Sequence, residues 1–221
     1  MRIGLFGGTF DPVHLGHLRT VLEVREWLGL DRVYLIPSAV PPHKRRDDVS
    51  DPADRLEMLQ AAVGDDAGFV VSSAEFKRRG PSYTIDTVRQ FQADFGREHR
   101  LHLIMGLDAF LEIDTWKSFL DLVSRVALAV MLRPTAEIVQ GRGRLEAIRQ
   151  FVAERLSEHY GFSEEKHCFC HLDHPPIQLI DVTAMNISST CIRRLVRERK
   201  SIRFLVPDPV ERIIRSKGLY L

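Results

Sequence analysis

A chain of 221 residues, 44% hydrophobic and 28% charged, has the length and composition of one α/β unit with a well-buried core. Lys and Arg number 31 against 30 Asp and Glu, so net charge supports neither a nucleic-acid coat nor a membrane-surface role, and any anion site has to be built locally. No apolar run approaches the roughly 18 residues of a membrane span, no signal peptide is evident at the N-terminus, and three cysteines (Cys168, Cys170, Cys191) fit reduced thiols in a cytoplasmic protein.

Short apolar runs alternate with amphipathic stretches, the pattern of βαβ units around a parallel sheet. Residues 3–6 read as a first strand. Leu18, Val21, Leu22 and Leu28 recur at helical spacing and predict a helix after the first loop. Residues 32–36 form a second strand, stopped by Pro37. Asp51-Pro52 starts a helix with Asp as N-cap, its predicted inner face being Leu56, Leu59 and Val63. A strand at 69–72 precedes a helix at 84–95 with Ile85, Val88, Phe91 and Phe95 inward. Strands follow at 101–105, ending at Gly106, and at 126–132, ending at Arg133-Pro134. Residues from about 145 to 159 read as helix, 161–176 as irregular and 177–180 as a late strand. A helix over 188–199 opens with three hydroxyl residues, and Asp208-Pro209 starts the last helix. Residues 37–54 carry four prolines and the basic cluster His43, Lys44, Arg45 and Arg46, as a surface loop that carries function would.

The chemistry concentrates where the first strand ends, in Gly7-Gly8-Thr9-Phe10-Asp11-Pro12-Val13-His14-Leu15-Gly16-His17. In open parallel sheets ligands sit beyond the carboxyl ends of the strands. A glycine pair there lets backbone approach a bulky anion, and the following helix offers unpaired N–H groups and a positive dipole end. Gly7, Gly8, Thr9 and Phe10 therefore suit phosphates. Neither Gly-x-Gly-x-x-Gly nor Gly-Lys-Ser/Thr is present, which excludes the dinucleotide fingerprint and the P-loop. His14 and His17 lie three positions apart on one helical face, both able to donate to phosphate oxygens, with Gly16 leaving space for a ligand. Two surface histidines near a turn would leave the glycines unexplained. So would zinc, for which Asp11 is the nearby third ligand.

A second signature, Ile187-Ser188-Ser189-Thr190-Cys191-Ile192-Arg193, opens the penultimate helix. Ser188 or Ser189 caps it. The remaining hydroxyls and N–H groups face the helix end, and Arg193 adds a guanidinium fork one turn in.

His-x-Gly-His after Gly-Gly-Thr-Phe-Asp-Pro, paired with the late Ile-Ser-Ser-Thr-x-Ile-Arg, resembles the nucleotidyltransferase superfamily. Within it the chain looks like the bacterial nicotinate-nucleotide adenylyltransferases. Val40-Pro41-Pro42-His43-Lys44, Pro81-Ser82-Tyr83-Thr84-Ile85-Asp86-Thr87, Ile104-Met105-Gly106-Leu107-Asp108, Trp116-Lys117, Phe204-Leu205-Val206-Pro207 and Gly218-Leu219-Tyr220 match as well. The resemblance spans the chain apart from about residues 140 to 176.

That resemblance implies a single domain over 1–221 with a Rossmann-like, doubly wound, mainly parallel sheet and helices on both faces. Its C-terminal helical part, at about 186–221, carries the second signature. It implies that ATP and nicotinate mononucleotide give nicotinate adenine dinucleotide and pyrophosphate, a step toward NAD. It assigns His14, His17 and Arg193 to catalysis. Gly7, Gly8, Thr9, Phe10, Lys44, Gly106, Asp108, Arg133, Ile187, Ser188, Ser189 and Thr190 are assigned to ATP. Tyr83, Thr84, Trp116 and Lys44 are assigned to the acceptor, with Trp116 as platform for the pyridine ring and Thr84, also readable as a helix N-cap, at its carboxylate. Magnesium is expected with ATP, held mostly by phosphates and water, and no protein metal site is assigned. Neither nucleic acid nor membrane is an expected partner, and a homo-oligomer stays open.

Residues 110–115 give no tyrosine where some members of the family carry one. A sister enzyme acting on phosphopantetheine, or a cytidylyltransferase, shares the first loop but not Ser82-Tyr83-Thr84 or Trp116. Nicotinamide mononucleotide differs from the acid by one amide. A non-catalytic nucleotide-binding relative would be expected to have lost His14, His17 or Arg193. The segment His167-Cys168-Phe169-Cys170-His171, with His174, offers metal-ligand types at poor spacing.

Overall fold

A computed structural model of the chain describes residues 1–39, 49–78, 80–96, 98–133 and 142–221. In chain order the elements are β1 (Arg2–Gly8), α1 (Leu15–Leu28), β2 (Arg32–Pro37), α2 (Pro52–Val63), β3 (Phe69–Val71), α3 (Thr84–Phe95), β4 (Arg100–Gly106), α4 (Leu107–Leu111), α5 (Phe119–Arg125) and β5 (Ala127–Leu132). Then come α6 (Arg142–Phe151), β6 (Gly161–Ser163), β7 (Cys168–Cys170), β8 (Ile177–Asp181), α7 (Ser189–Arg197) and α8 (Asp208–Lys217). Short turns of 3-10 helix stand at Ala74–Lys77 and Ile113–Thr115.

The strands form one sheet in the order β3-β2-β1-β4-β5-β8-β7-β6. Every pairing from β3 through β8 is parallel, and β7 and β6 complete the edge antiparallel. Side-chain alternation splits the core in two. Ile3, Leu5, Leu103, Met105, Leu128 and Val130 face α3, α4, α5 and α6 through Val88, Phe91, Phe110, Leu122 and Ile148. Phe6, Ile104, Ala129 and Met131 face α1, α2, α7 and α8 through Val21, Val24, Met58, Ile192 and Ile214. Central strands covered on both faces need apolar residues at nearly every position, which is why β5 is buried along its whole length. The doubly wound arrangement read from the sequence is thus present.

Local signals hold at several boundaries. Asp51 caps α2, its Oδ1 accepting the Ala53 N–H at 2.8 Å. Gly29 ends α1 at φ 57, a left-handed conformation that glycine adopts without penalty. Three readings need correction. The stretch 161–176, read as irregular, contains the β6–β7 hairpin, whose three-residue strands are too short to show alternation. The helix read through residue 159 ends at Ser157, after one wide turn over Val152–Leu156. The inner face of α2 is Arg55, Met58 and Leu59, while Leu56 and Val63 are only half-buried. A pattern that sends charge outward cannot find a buried arginine.

Candidate active site

The sheet's winding reverses between β1 and β4. Connections leaving adjacent strands in opposite directions open a crevice at their carboxyl ends. A cleft of about 460 Å³ lies there, lined by Gly7, Gly8, Thr9 and Phe10 after β1 and by Gly106 and Asp108 after β4. His17, Tyr83, Thr84, Trp116 and Arg133 line it too. A Cβ added to Gly7 would meet nothing within 4 Å, so this strand end is open to a ligand. At Gly8 the space is taken by the Phe10 ring, 3.0 Å from such a Cβ. Phe10 is buried, packing edge-on against Phe6 and His17 with centroids 5.6 and 5.2 Å apart.

His14 and His17 form the start of α1. Each main-chain N–H donates to Nδ1 of the other ring at 3.3 Å, and the rings stack with centroids 3.6 Å apart. A neutral imidazole whose Nδ1 accepts carries its proton on Nε2. Burial, reinforced by the Arg133 charge, lowers the His14 pKa to about 4. Burial holds His17 well below its ordinary value, with His14 and Arg133 adding to it. Both rings are therefore neutral Nε2–H donors at physiological pH. His14 is 5% exposed, so these are not two surface histidines. Gly16 does not leave room for a ligand, as the sequence suggested. A Cβ there would lie 3.1 Å from His14 Nδ1 and 3.6 Å from Ile187 Cβ. The glycine lets the His14 ring and Ile187 pack onto the helix.

Through Ile187 the second signature reaches the first. Ser188 is the N-cap of α7, its Oγ accepting the Cys191 N–H at 3.1 Å. Ser189 Oγ donates to Pro12 O at 2.9 Å, and Arg193 Nη1 donates to Asp11 O at 2.7 Å. Arg193 Nη2 lies 3.4 Å from Thr190 Oγ1. The Ser188 and Ser189 hydroxyls are thus engaged within the protein. The first-turn N–H groups of α7 and the remaining guanidinium donors are what this end offers an anion.

Also on the cleft lining, Tyr83 is the N-cap of α3 and Thr84 its first residue, with no side-chain cap bond. Thr84 is therefore not the cap that the sequence allowed. Trp116 is half-buried, packed on the core and also lining the cleft, so packing and platform coexist in one side chain. Lys117 Nζ lies 4.3 Å from the Tyr83 ring centroid and 3.2 Å from Asp86 Oδ2. Arg133 stands at the end of β5, and its Nε is buried without a partner among the described residues. Lys44 lies outside the described residues.

A family model described as Cytidylyltransferase-like matches residues 5–195. A probable nicotinate-nucleotide adenylyltransferase from Desulfatibacillum aliphaticivorans is 40% identical over 228 residues, with 100% of both chains covered. The chain belongs to the nicotinate-nucleotide adenylyltransferases of the cytidylyltransferase-like family. A relative of the same description from Pseudomonas fluorescens is 41% identical, covering 99% of this chain and 97% of that one. Among solved structures, a nicotinic acid mononucleotide adenylyltransferase from Plasmodium falciparum, complexed with APC, superposes with a TM-score of 0.72. It covers 99% of this chain and 96% of that one at 14% identity, a likeness of fold.

In this adenylyltransferase the sequence reading missed three residues that hold the loop after β1. Arg55 is fully buried, and its guanidinium donates to Thr9 O at 2.9 Å, Ser38 O at 2.7 Å and Ser50 O at 3.0 Å. Burial lowers its pKa, opposed by the charge of Asp11. Asp11, weighed from sequence only as a zinc ligand, is buried and turned toward Tyr220. Tyr220 stood in a matched tail segment, but nothing local tied it to residue 11. The Cys168 and Cys170 Sγ atoms lie 3.3 Å apart on β7. Burial pushes the Cys168 thiol up to about 11.

Proposed function

We propose that this cleft joins the AMP part of ATP to the phosphate of nicotinate mononucleotide, releasing pyrophosphate, as a step of NAD biosynthesis in the cytoplasm. The reading is carried by the stacked, neutral His14–His17 pair, whose His17 lines the switch-point cleft together with the open Gly7. An acceptor phosphate oxygen attacks the α-phosphorus. The bond from that phosphorus to the bridging oxygen breaks, and pyrophosphate leaves. No covalent enzyme intermediate is needed, so catalysis is positioning plus charge stabilisation. His14 and His17 supply neutral N–H donors to the phosphate oxygens. Arg193 and the first turn of α7, with Ile187, Ser188, Ser189 and Thr190, receive the leaving pyrophosphate. Thr9 and Phe10 continue the loop along the phosphates, and Lys44, which lies outside the described residues, is assigned to them by the family resemblance alone.

Asp108, exposed at the end of β4, suits a ribose hydroxyl pair, and Arg133 lies against the adenine. Trp116 stacks on the pyridine ring. The N-terminus of α3 at Tyr83 and Thr84 takes the nicotinate carboxylate, an anion suited to helix N–H groups. Magnesium would enter with ATP and neutralise triphosphate charge. Among the described residues no group of three His, Cys, Asp or Glu could hold an ion. The unit proposed is the whole chain, 1–221, with 186–221 supplying the second clamp. No helix among the described residues is long and apolar enough to cross a membrane.

Pyrophosphate release from ATP tests this, first with nicotinate mononucleotide and then with its amide. Release with the acid, faster than with the amide, is expected. No release with either overturns the proposal, and faster release with the amide overturns the acceptor assignment.

A further inference from the structure

Asp11 is 2% exposed, a depth at which a carboxylate persists only when its oxygens are met by donors. Oδ1 accepts from the Tyr220 hydroxyl at 2.7 Å, and Oδ2 accepts the Ser50 N–H at 3.2 Å. The main chain of the same segment accepts from the second signature. Asp11 O accepts Arg193 Nη1 at 2.7 Å, and Pro12 O accepts Ser189 Oγ at 2.9 Å. Residue 11 is thus gripped on its side chain by the chain's penultimate residue, while its carbonyl aims the guanidinium.

The tail is built to hold that grip. Leu219 N donates to Ile214 O at 3.0 Å, and Leu219 and Tyr220 pack against the core on the α1 side. Tyr220 sits at φ 69, a conformation that a non-glycine residue keeps only when its surroundings enforce it. Burial and the Asp11 charge push its phenol well above the ordinary value, so it remains a donor throughout the working pH range.

We propose that Tyr220 is a positioning residue for phosphate binding, acting through Asp11 to orient Arg193. The inference rests on the function proposed above. Removing the hydroxyl leaves a buried carboxylate oxygen without its donor, and a loop that shifts to satisfy it carries the Arg193 acceptor along.

The test is Tyr220→Phe in the full chain, alone and combined with Arg193→Ala. Turnover is expected to fall about tenfold, with KM for the acceptor within about twofold, since misplacement of a clamp costs rate. In the Arg193→Ala background the same substitution is expected to change turnover less than about twofold, because coupled residues are not additive. A full tenfold loss in that background, or turnover within about twofold of wild type for Tyr220→Phe alone, overturns the proposal. So does a variant whose circular dichroism shows it unfolded at assay temperature. Were the wild type to release no pyrophosphate, the parent reading would fail on its own. The inference is then read by calorimetric binding of inorganic pyrophosphate, about tenfold weaker in Tyr220→Phe if it holds and unchanged if it does not.

Discussion

His14 and His17 cap each other: each ring's Nδ1 accepts the other residue's N–H at 3.3 Å. The bonds that start α1 are the same bonds that set both tautomers. Stability and catalysis therefore separate by substitution. Asn at position 14 can still accept at the N-cap, whereas Ala cannot. His14→Asn is expected to stay within about 1 kcal/mol of wild type, and His14→Ala to lose about 2 kcal/mol or more. Both are expected to lose turnover by about a hundredfold, since neither donates to a phosphate as Nε2–H does. Urea unfolding with steady-state kinetics checks it, and an Asn variant with wild-type turnover would sink the donor role.

The same pair sets a pH dependence. His14 titrates near 4 in the folded chain and near 6.5 when unfolded. Below 6.5 the unfolded chain takes up a proton that the folded chain refuses, so stability falls as pH drops toward 4 and levels off beneath it. His14 alone is expected to make the protein about 2 kcal/mol less stable at pH 5 than at pH 7. Turnover should stay flat between pH 6 and 8 as far as these rings are concerned. A histidine step near pH 6.5 in the rate profile would contradict neutral rings.

Gly7 and Gly16 belong to one motif but differ in kind. A Cβ at Gly16 would sit 3.1 and 3.2 Å from the His14 ring and push it off its stack. Gly16→Ala is expected to cut turnover by about tenfold or more. Gly7→Ala meets no protein atom and should melt within about 2 °C of wild type, with KM for ATP raised about tenfold as its methyl enters the ligand's space. Equal effects on ATP affinity from the two substitutions would refute the distinction.

Arg55 bridges Thr9, Ser38 and Ser50 from a fully buried position. Arg55→Met fills similar volume but leaves those carbonyls without donors. A loss of about 3 kcal/mol or more is expected, with Arg55→Lys intermediate because one ammonium cannot span the same acceptors. Thermal melts of both variants decide it, a Met variant as stable as wild type being the contrary result.

The parallel strands, the Gly7–His17 loop, the Asp51 cap and the two signatures were legible in the sequence because each is written in neighbouring residues: periodicity, glycines after a strand, a hydroxyl before a helix. Other features were not. Arg55 sits at a helical position where pattern alone predicts Leu56 inward, and its guanidinium is met by the carbonyls of Thr9 and Ser38 from earlier in the chain as well as by nearby Ser50 O. Tyr83 rather than Thr84 caps α3, a one-residue difference that the backbone angles decide. Gly16 looked like room for a ligand, but the folded His14 ring occupies that space, with Ile187, far along the chain, in contact beside it. The sequence by itself determined the fold class, the phosphate chemistry and the family resemblance. Only the tertiary structure decided which donors remain for a ligand. That depends on how the sheet brings residue 11 against residues 193 and 220, and hydrogen bonds between such distant positions leave no trace in local spacing.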